Sequence, residues 1–65
     1  METRSPLTEV LTPIEAAALL KVRPSWCYEA ARTGRVPYLK LGRHLRFLRS
    51  DLEAWLLEQR VEARH

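Results

Sequence analysis

Residues 36–49 constrain the fold of this chain more than any other stretch. Apolar residues alternate with other types on either side of Gly42, at Leu39, Leu41, Leu45 and Phe47. Alternation with a period of two predicts half-buried strands, and glycine between two such runs predicts a tight hairpin. We therefore expect the apolar side chains to share one face of the hairpin. The opposite face would carry the basic and polar residues Lys40, Arg43, His44 and Arg46.

A helix is the competing interpretation of this stretch, because leucines at positions 41, 45, 48 and 52 have helical spacing. Pro37 at its start and Gly42 in its middle both disfavour a continuous helix. We therefore favour two strands joined by a turn.

The charge distribution indicates a polyanionic partner. The chain has 11 Lys and Arg against 8 Asp and Glu, a net charge of +3. No acidic residue falls in residues 30–50, and all six cations there could contribute to one basic patch, which is typical of phosphate binding. The alternative is a solvated basic face without a partner. The six cations are Arg32, Arg35, Lys40, Arg43, Arg46 and Arg49.

The length and the cysteine content narrow the class of protein. A chain of 65 residues forms one small domain with little room for a deep catalytic cleft. Cys27 is the only cysteine, so no internal disulfide can form. No apolar run approaches the roughly 18 residues of a membrane span, and no secretory signal is visible. We expect a cytoplasmic protein without enzymatic activity.

Two short helices are predicted before the hairpin. Thr12, Pro13 and Glu15 have the pattern of an N-cap, a first helical residue and a capping-box partner. This first helix would end before Pro24, where a second would begin after a turn of about three residues. The inner face of the first helix would consist of Ala16, Ala17 and Leu20, joined by Leu11 and Val22.

The second helix is predicted to pack closely on the first. Its inner face would hold the small residues Cys27, Ala30 and Ala31, and Gly34 would stop it. Two short helices joined by a tight turn indicate a helix-turn-helix. Ser25, Glu29 and Arg32 would then lie on the outer face, with Trp26 and Tyr28 on the flanks.

A third helix and two end segments complete the expected organisation. Ser50 would cap the helix with Glu53 as its capping-box partner, and Leu52, Trp55 and Leu56 would form its apolar stripe. We expect a flexible arm over residues 1–10, a DNA-binding domain over residues 11–59 and a frayed tail over residues 60–65.

The segments at residues 11–20, 25–28, 33–37, 40–46 and 49–56 occur in an order that resembles the excisionase-type domains related to MerR. This family includes phage excisionases, which are recombination directionality factors, and AlpA-like regulators. The resemblance implies a mostly α, winged helix-turn-helix fold in which a two-stranded antiparallel wing precedes the C-terminal helix. By position it assigns Ser25, Trp26, Tyr28, Glu29 and Arg32 to a recognition helix in the major groove, and Lys40, Arg43, His44 and Arg46 to the wing. Further phosphate contacts would come from Arg23, Arg35 and Arg49.

The resemblance implies a role in DNA excision in which the protein itself catalyses no reaction. Such a protein binds adjacent sites on double-stranded DNA, bends the DNA and directs an integrase toward excision. Its partners would be DNA, the integrase and further copies of itself, with no cofactor and no membrane. A MerR- or AlpA-like transcription regulator is the alternative, and a small protein-interaction module such as an antitoxin is the second alternative. The sequence departs from the family at Lys21, Arg23 and Glu29, where Gly, Ser and a basic residue are often found.

Several residues keep two interpretations at this stage. Arg32 could bind guanine or a phosphate, and Glu29 could accept from cytosine N4 or pair with Arg32 or Arg35. Tyr28 could pack or bind phosphate, and Trp26 could lie at the core edge or on the surface. Cys27 and the two histidines lack the spacing of a metal site, so we expect no metal.

Overall fold

The computed structural model describes residues 9–62, which form three helices and one three-stranded antiparallel sheet. This architecture is consistent with a helix-turn-helix fold. Neighbouring strands in the sheet follow the order β1-β3-β2. None of the helices in this part of the chain is long and apolar enough to cross a membrane. The elements are β1 Val10–Leu11, α1 Pro13–Leu20, α2 Pro24–Arg32, β2 Leu39–Leu41, β3 His44–Leu48 and α3 Arg49–Glu58.

The first helix begins as its sequence predicts. The Glu15 backbone N–H donates to Thr12 Oγ1 at 3.2 Å, and the Thr12 backbone N–H donates to Glu15 Oε1 at 2.9 Å. Pro13 occupies the first helical position, where its missing N–H costs no intrahelical bond. The capping box therefore joins residues that are only three positions apart in the sequence.

The turn between α1 and α2 depends on one strained residue. Lys21 has φ +61°, in the left-handed region that glycine occupies at lower cost. This conformation lets the Val22 backbone N–H donate to the carbonyl oxygen of Ala17 at 3.0 Å, so α1 stops cleanly. Lys21 thus adopts a backbone conformation that suits glycine, which is often found at this position in the family that the sequence resembles.

Small side chains bring α1 and α2 together, as predicted. Cys27, Ala30 and Ala31 are buried on α2 against the buried Ala16 and Ala17 of α1. The chain leaves α2 through Gly34 at φ +72°, which confirms the predicted stop. Leu20 and Val22 of the predicted inner face are half-buried and pack on the edge of the core.

The sheet has a third strand that the sequence analysis did not predict. Val10 pairs with Leu48 and Leu11 pairs with Phe47, so the first strand of the sheet begins within the predicted arm. A strand of two residues is too short to show periodicity in the sequence. Residues 1–8 of the predicted arm and residues 63–65 of the predicted tail lie outside the described residues.

The start of α3 differs from the prediction. Leu48 is the N-cap, and no side-chain cap bond forms there, so the assignment of this role to Ser50 was wrong. The helix starts earlier because β3 runs directly into it, and the Arg49 backbone N–H donates to the Glu9 carbonyl oxygen at 2.9 Å. Leu52 is fully buried, but Leu56 is 39% exposed, so the predicted apolar stripe is narrower than expected.

The hairpin register contradicts the predicted division into an apolar face and a basic face. Leu41 pairs with His44, and Lys40 pairs with Leu45, which leaves a two-residue turn. Directly opposed residues of an antiparallel pair share a face, so this even-length turn places Leu41 on the face opposite Leu45. The prediction assumed that the alternation continues unbroken through the turn. The strands themselves form as predicted, and the competing helix does not.

Candidate nucleic-acid interface

A groove between α2 and the hairpin is lined by three cationic residues and two tyrosines, and we call it the α2–hairpin groove. The cations come from three elements: Arg32 from α2, Lys40 from β2 and Arg43 from the turn. None of its lining residues is acidic. Its lining consists of Tyr28, Ala31, Arg32, Tyr38, Lys40, Arg43 and Leu45.

The hairpin register delivers Lys40 to this groove. Because Lys40 is opposed to Leu45, both side chains lie on the sheet face that also carries the buried Phe47. Phe47 continues this face into the core, whereas the half-buried Leu45 and exposed Lys40 lie farther out and line the groove. Arg43 is the second turn residue, after Gly42 at φ +63°.

The other two polar residues of the predicted wing lie on the opposite face of the hairpin. His44 and Arg46 share the outer sheet face with Leu39 and Leu41. Arg46 is half-buried, and its Nη1 donates to the carbonyl oxygen of Leu45 at 2.7 Å. The predicted row of four polar side chains is therefore wrong: the structure separates Lys40 from His44 and Arg46.

An ion pair occupies the outer face of α2. Arg32 Nη2 donates to Glu29 Oε2 at 2.5 Å, with the two side chains 70% and 53% exposed. The hydrogen bond and the positive charge of Arg32 lower the pKa of Glu29, and the same bond raises the pKa of Arg32. Of the interpretations open for Glu29, the structure therefore contains the pair with Arg32.

Arg35 contacts an aromatic side chain. Its guanidinium carbon lies 5.6 Å from the centre of the Trp26 ring, within the range of a cation–π interaction. Trp26 in turn lies 5.9 Å from Trp55, with the two rings tilted by 56°. Trp26 is half-buried at the core edge, so it couples α2 to α3.

Arg49 is held between two carboxylates. Its Nε donates to Glu9 Oε1 at 3.0 Å and its Nη1 donates to Glu53 Oε2 at 3.4 Å. These hydrogen bonds raise the pKa of Arg49. The side chain thereby links the segment before β1 to α3. Its hydrogen bonds go to carboxylates of its own chain.

Two predicted residues at the start of α2 remain open to solvent. Arg23 and Ser25 are exposed, and together with Glu29 they line a shallow depression beside the helix. Ser25, Glu29 and Arg32 thus lie on the exposed side of α2, as the helical periodicity predicts.

Tyr38 is the groove residue that the sequence analysis missed. It lies just before β2, is exposed, and lines the groove with Tyr28. Its position immediately after Pro37, next to the alternating segment, was the available signal. A tyrosine there could also have been ordinary surface, because the sequence does not show which side of the hairpin faces α2.

No group of three potential metal ligands occurs among residues 9–62. Cys27 is buried, and desolvation raises the pKa of its thiol. The thiol therefore contributes to packing and is not presented to a ligand.

Comparison with known proteins identifies the domain family of this chain. A family model for helix-turn-helix domains matches residues 10–60. The chain therefore belongs to this helix-turn-helix domain family, which includes excisionase- and AlpA-like DNA-binding domains. Such a domain indicates sequence-specific DNA binding. Searches of the curated proteins and of the solved structures gave no significant match.

Proposed function

We propose that this chain is an excisionase that binds double-stranded DNA with α2 in the major groove and the hairpin as a wing. The observation that carries the DNA contact is the α2–hairpin groove, where Arg32, Lys40 and Arg43 converge without an acidic neighbour in the lining. A sugar-phosphate strand that borders the major groove would lie along this groove. Guanidinium, ammonium and phenol groups all donate to phosphate oxygens.

Base recognition in this proposal comes from the exposed side of α2. Ser25, Glu29 and Arg32 are the side chains that an inserted α2 would bring to base edges. Trp26 and Arg35 would support the helix from its flank through their cation–π contact. Arg23 is exposed at the helix start and would contact a phosphate.

The excision role rests on the five sequence segments that resemble excisionases and on membership of a family that includes them. In this role the protein binds adjacent sites in the cytoplasm, bends the DNA and directs an integrase toward excision. One module with so few cations binds a single site weakly, so neighbouring copies would strengthen each other. Exposed aliphatic side chains on the outer sheet face and on α3, at Val10, Leu41 and Leu57, support contacts between copies.

A gel-shift assay tests the DNA contact, and attachment-site DNA tests the role. Phosphate contacts from Arg23, Lys40 and Arg43 predict that log affinity falls against log salt with a slope of about −3. Attachment-site duplexes should give stepwise bands, and an integrase should excise a plasmid-borne element only with this protein present. Failure to bind any duplex at low salt would overturn DNA binding itself.

A transcription regulator of the AlpA-like type is the second candidate, because the matched family includes such domains. Tight single-site binding at a promoter, without stepwise bands on attachment-site DNA, would favour this candidate over excision.

A further inference from the structure

We infer that Glu29 is a specificity-determining residue that holds Arg32 for base recognition and limits its binding to phosphates. The inference rests on the proposed insertion of α2 into DNA. It goes beyond the base contacts of the proposed function, because it gives Glu29 the additional role of restraining Arg32.

The position of Glu29 makes it unusual for a surface that binds a polyanion. It is the only acidic residue of α2, and its carboxylate is exposed on the same side of the helix as Ser25 and Arg32. Insertion of α2 would bring this carboxylate toward the negative charge of the DNA. An ionised carboxylate that loses water there without finding a hydrogen-bond donor opposes binding.

The ion pair changes what Arg32 can do. The bond from Nη2 to Glu29 Oε2, at 2.5 Å, directs the guanidinium along α2 toward the preceding turn. Arg32 also borders the α2–hairpin groove, where Lys40 and Arg43 would bind the same phosphate strand. Without Glu29, Arg32 would be free to become a third phosphate contact on any sequence. With Glu29, that general contribution is reduced.

One kind of base pair offers hydrogen-bond partners to both Glu29 and Arg32. In the major groove, guanine presents the N7 and O6 acceptors that suit arginine, and its partner cytosine presents the N4 donor that suits glutamate. The remaining guanidinium donors, Nη1 and Nε, can reach an acceptor while Nη2 stays on Glu29. We therefore assign a G·C pair, read by Glu29 and Arg32 together, to the DNA site. Sequences without it leave Glu29 Oε1 without a donor from the DNA, which penalises binding to those sequences.

Glu29→Gln tests the inference, with Glu58→Gln as the matched control. Both variants remove one negative charge, but Glu58 lies on α3 and is not part of the groove or of the exposed side of α2. The probes are a random-sequence duplex and a duplex selected from a random pool by the wild-type protein, each measured at several salt concentrations. A thermal melt of both variants checks that the fold is retained.

The expected result is a change in specificity that the control does not show. Glu29→Gln should bind the random duplex about 3- to 10-fold more tightly than Glu58→Gln does, with a salt slope steeper by about 0.9 from one added phosphate contact. The ratio of selected to random affinity should fall about tenfold. A pool selected with Glu29→Gln should lose the preference for the G·C pair. Equal behaviour of the two variants on both duplexes would overturn the inference.

A double-mutant cycle tests whether Glu29 acts through Arg32. In an Arg32→Gln background, the additional Glu29→Gln substitution should change random-duplex affinity no more than Glu58→Gln does. An undiminished gain in that background would overturn the inference. Failure of the proposed function is distinguishable, because then the wild-type protein would bind neither duplex.

Discussion

Leu41 faces His44 as the last residue pair of the hairpin, so only Gly42 and Arg43 remain to form the turn. This pair determines which cations point toward α2. It places Lys40 on the inner sheet face next to the groove, and it places Arg46 on the outer face. The basic residues of the hairpin therefore belong to two surfaces, which single substitutions can separate.

Lys40→Ala and Arg43→Ala should weaken binding to specific and random duplexes by similar factors. Each removes a groove cation, so the salt slope should become shallower by about 0.9 per substitution. Arg46→Ala is the comparison on the outer face, and we expect a smaller loss there. Gel shifts over a salt series measure all three. A larger loss for Arg46→Ala than for Lys40→Ala would mean that the outer sheet face is the one that meets DNA.

Lys21→Gly should stabilise the protein by about 0.5–1 kcal/mol. Lys21 has φ +61°, where a side chain is disfavoured, and glycine removes this cost. The greater entropy of glycine in the unfolded chain offsets part of the gain in stability. In a domain of this size the melting temperature should rise by about 2–8 °C. Lys21→Ala removes the same charge but keeps a Cβ atom, so it should give no such gain. Equal melting temperatures for the two variants would exclude backbone strain as the cause.

Leu52→Ala and Leu57→Ala make the same chemical change on the same helix with opposite expected results. Leu52 is fully buried in the core, whereas Leu57 is 71% exposed. Truncation of Leu52 should lower the free energy of unfolding by about 2–5 kcal/mol, which is most of the stability of a domain this small. Truncation of Leu57 should change stability by less than about 0.5 kcal/mol. Urea unfolding followed by circular dichroism measures both, and comparable losses would show that α3 packs through a different face.

The thiol of Cys27 should react only when the domain unfolds. Burial raises the pKa of the thiol above its ordinary value, so at pH 8 the folded protein holds it protonated and inaccessible. The unfolded chain deprotonates first, so stability should fall as the pH rises from the ordinary thiol range toward the higher pKa of the folded state. Labelling with a thiol reagent across a urea series should follow the unfolding curve. Labelling of the native protein as fast as of the denatured protein would contradict this burial.

Much of the helical part of the fold was predictable because its determinants are local. The capping box of Thr12 and Glu15, the stop at Gly34 and the small inner face around Cys27 each follow from residues within about one to three helical turns. The predicted start of α3 at Ser50 was wrong. Strand β3 runs directly into the helix, and the Arg49 backbone N–H donates to the Glu9 carbonyl oxygen, so α3 begins before the local capping signal at Ser50.

The candidate site was predictable in its residue types and only partly in its geometry. Arg32, Lys40 and Arg43 were chosen from the sequence, and they meet in one groove. Tyr38 was missed, because its role depends on which side of the hairpin faces α2. His44 and Arg46 were wrongly placed on the same face as Lys40, because the prediction carried the alternation unbroken through the turn, whereas Leu41 pairs with His44.

The amino-acid sequence by itself determined where α1 begins and where α2 ends, where the chain must turn, and that its central region carries cations without acids. These properties depend on neighbouring residues and on composition, so they hold in any arrangement of the elements. Only the tertiary structure decided the parity of the hairpin register, the third strand, the start of α3 and the long-range partner of Arg49. Such features depend on contacts between distant residues, as in the bond between Glu9 and Arg49, which are 40 positions apart. A shift of one residue in strand pairing moves every side chain to the opposite face without changing the sequence pattern.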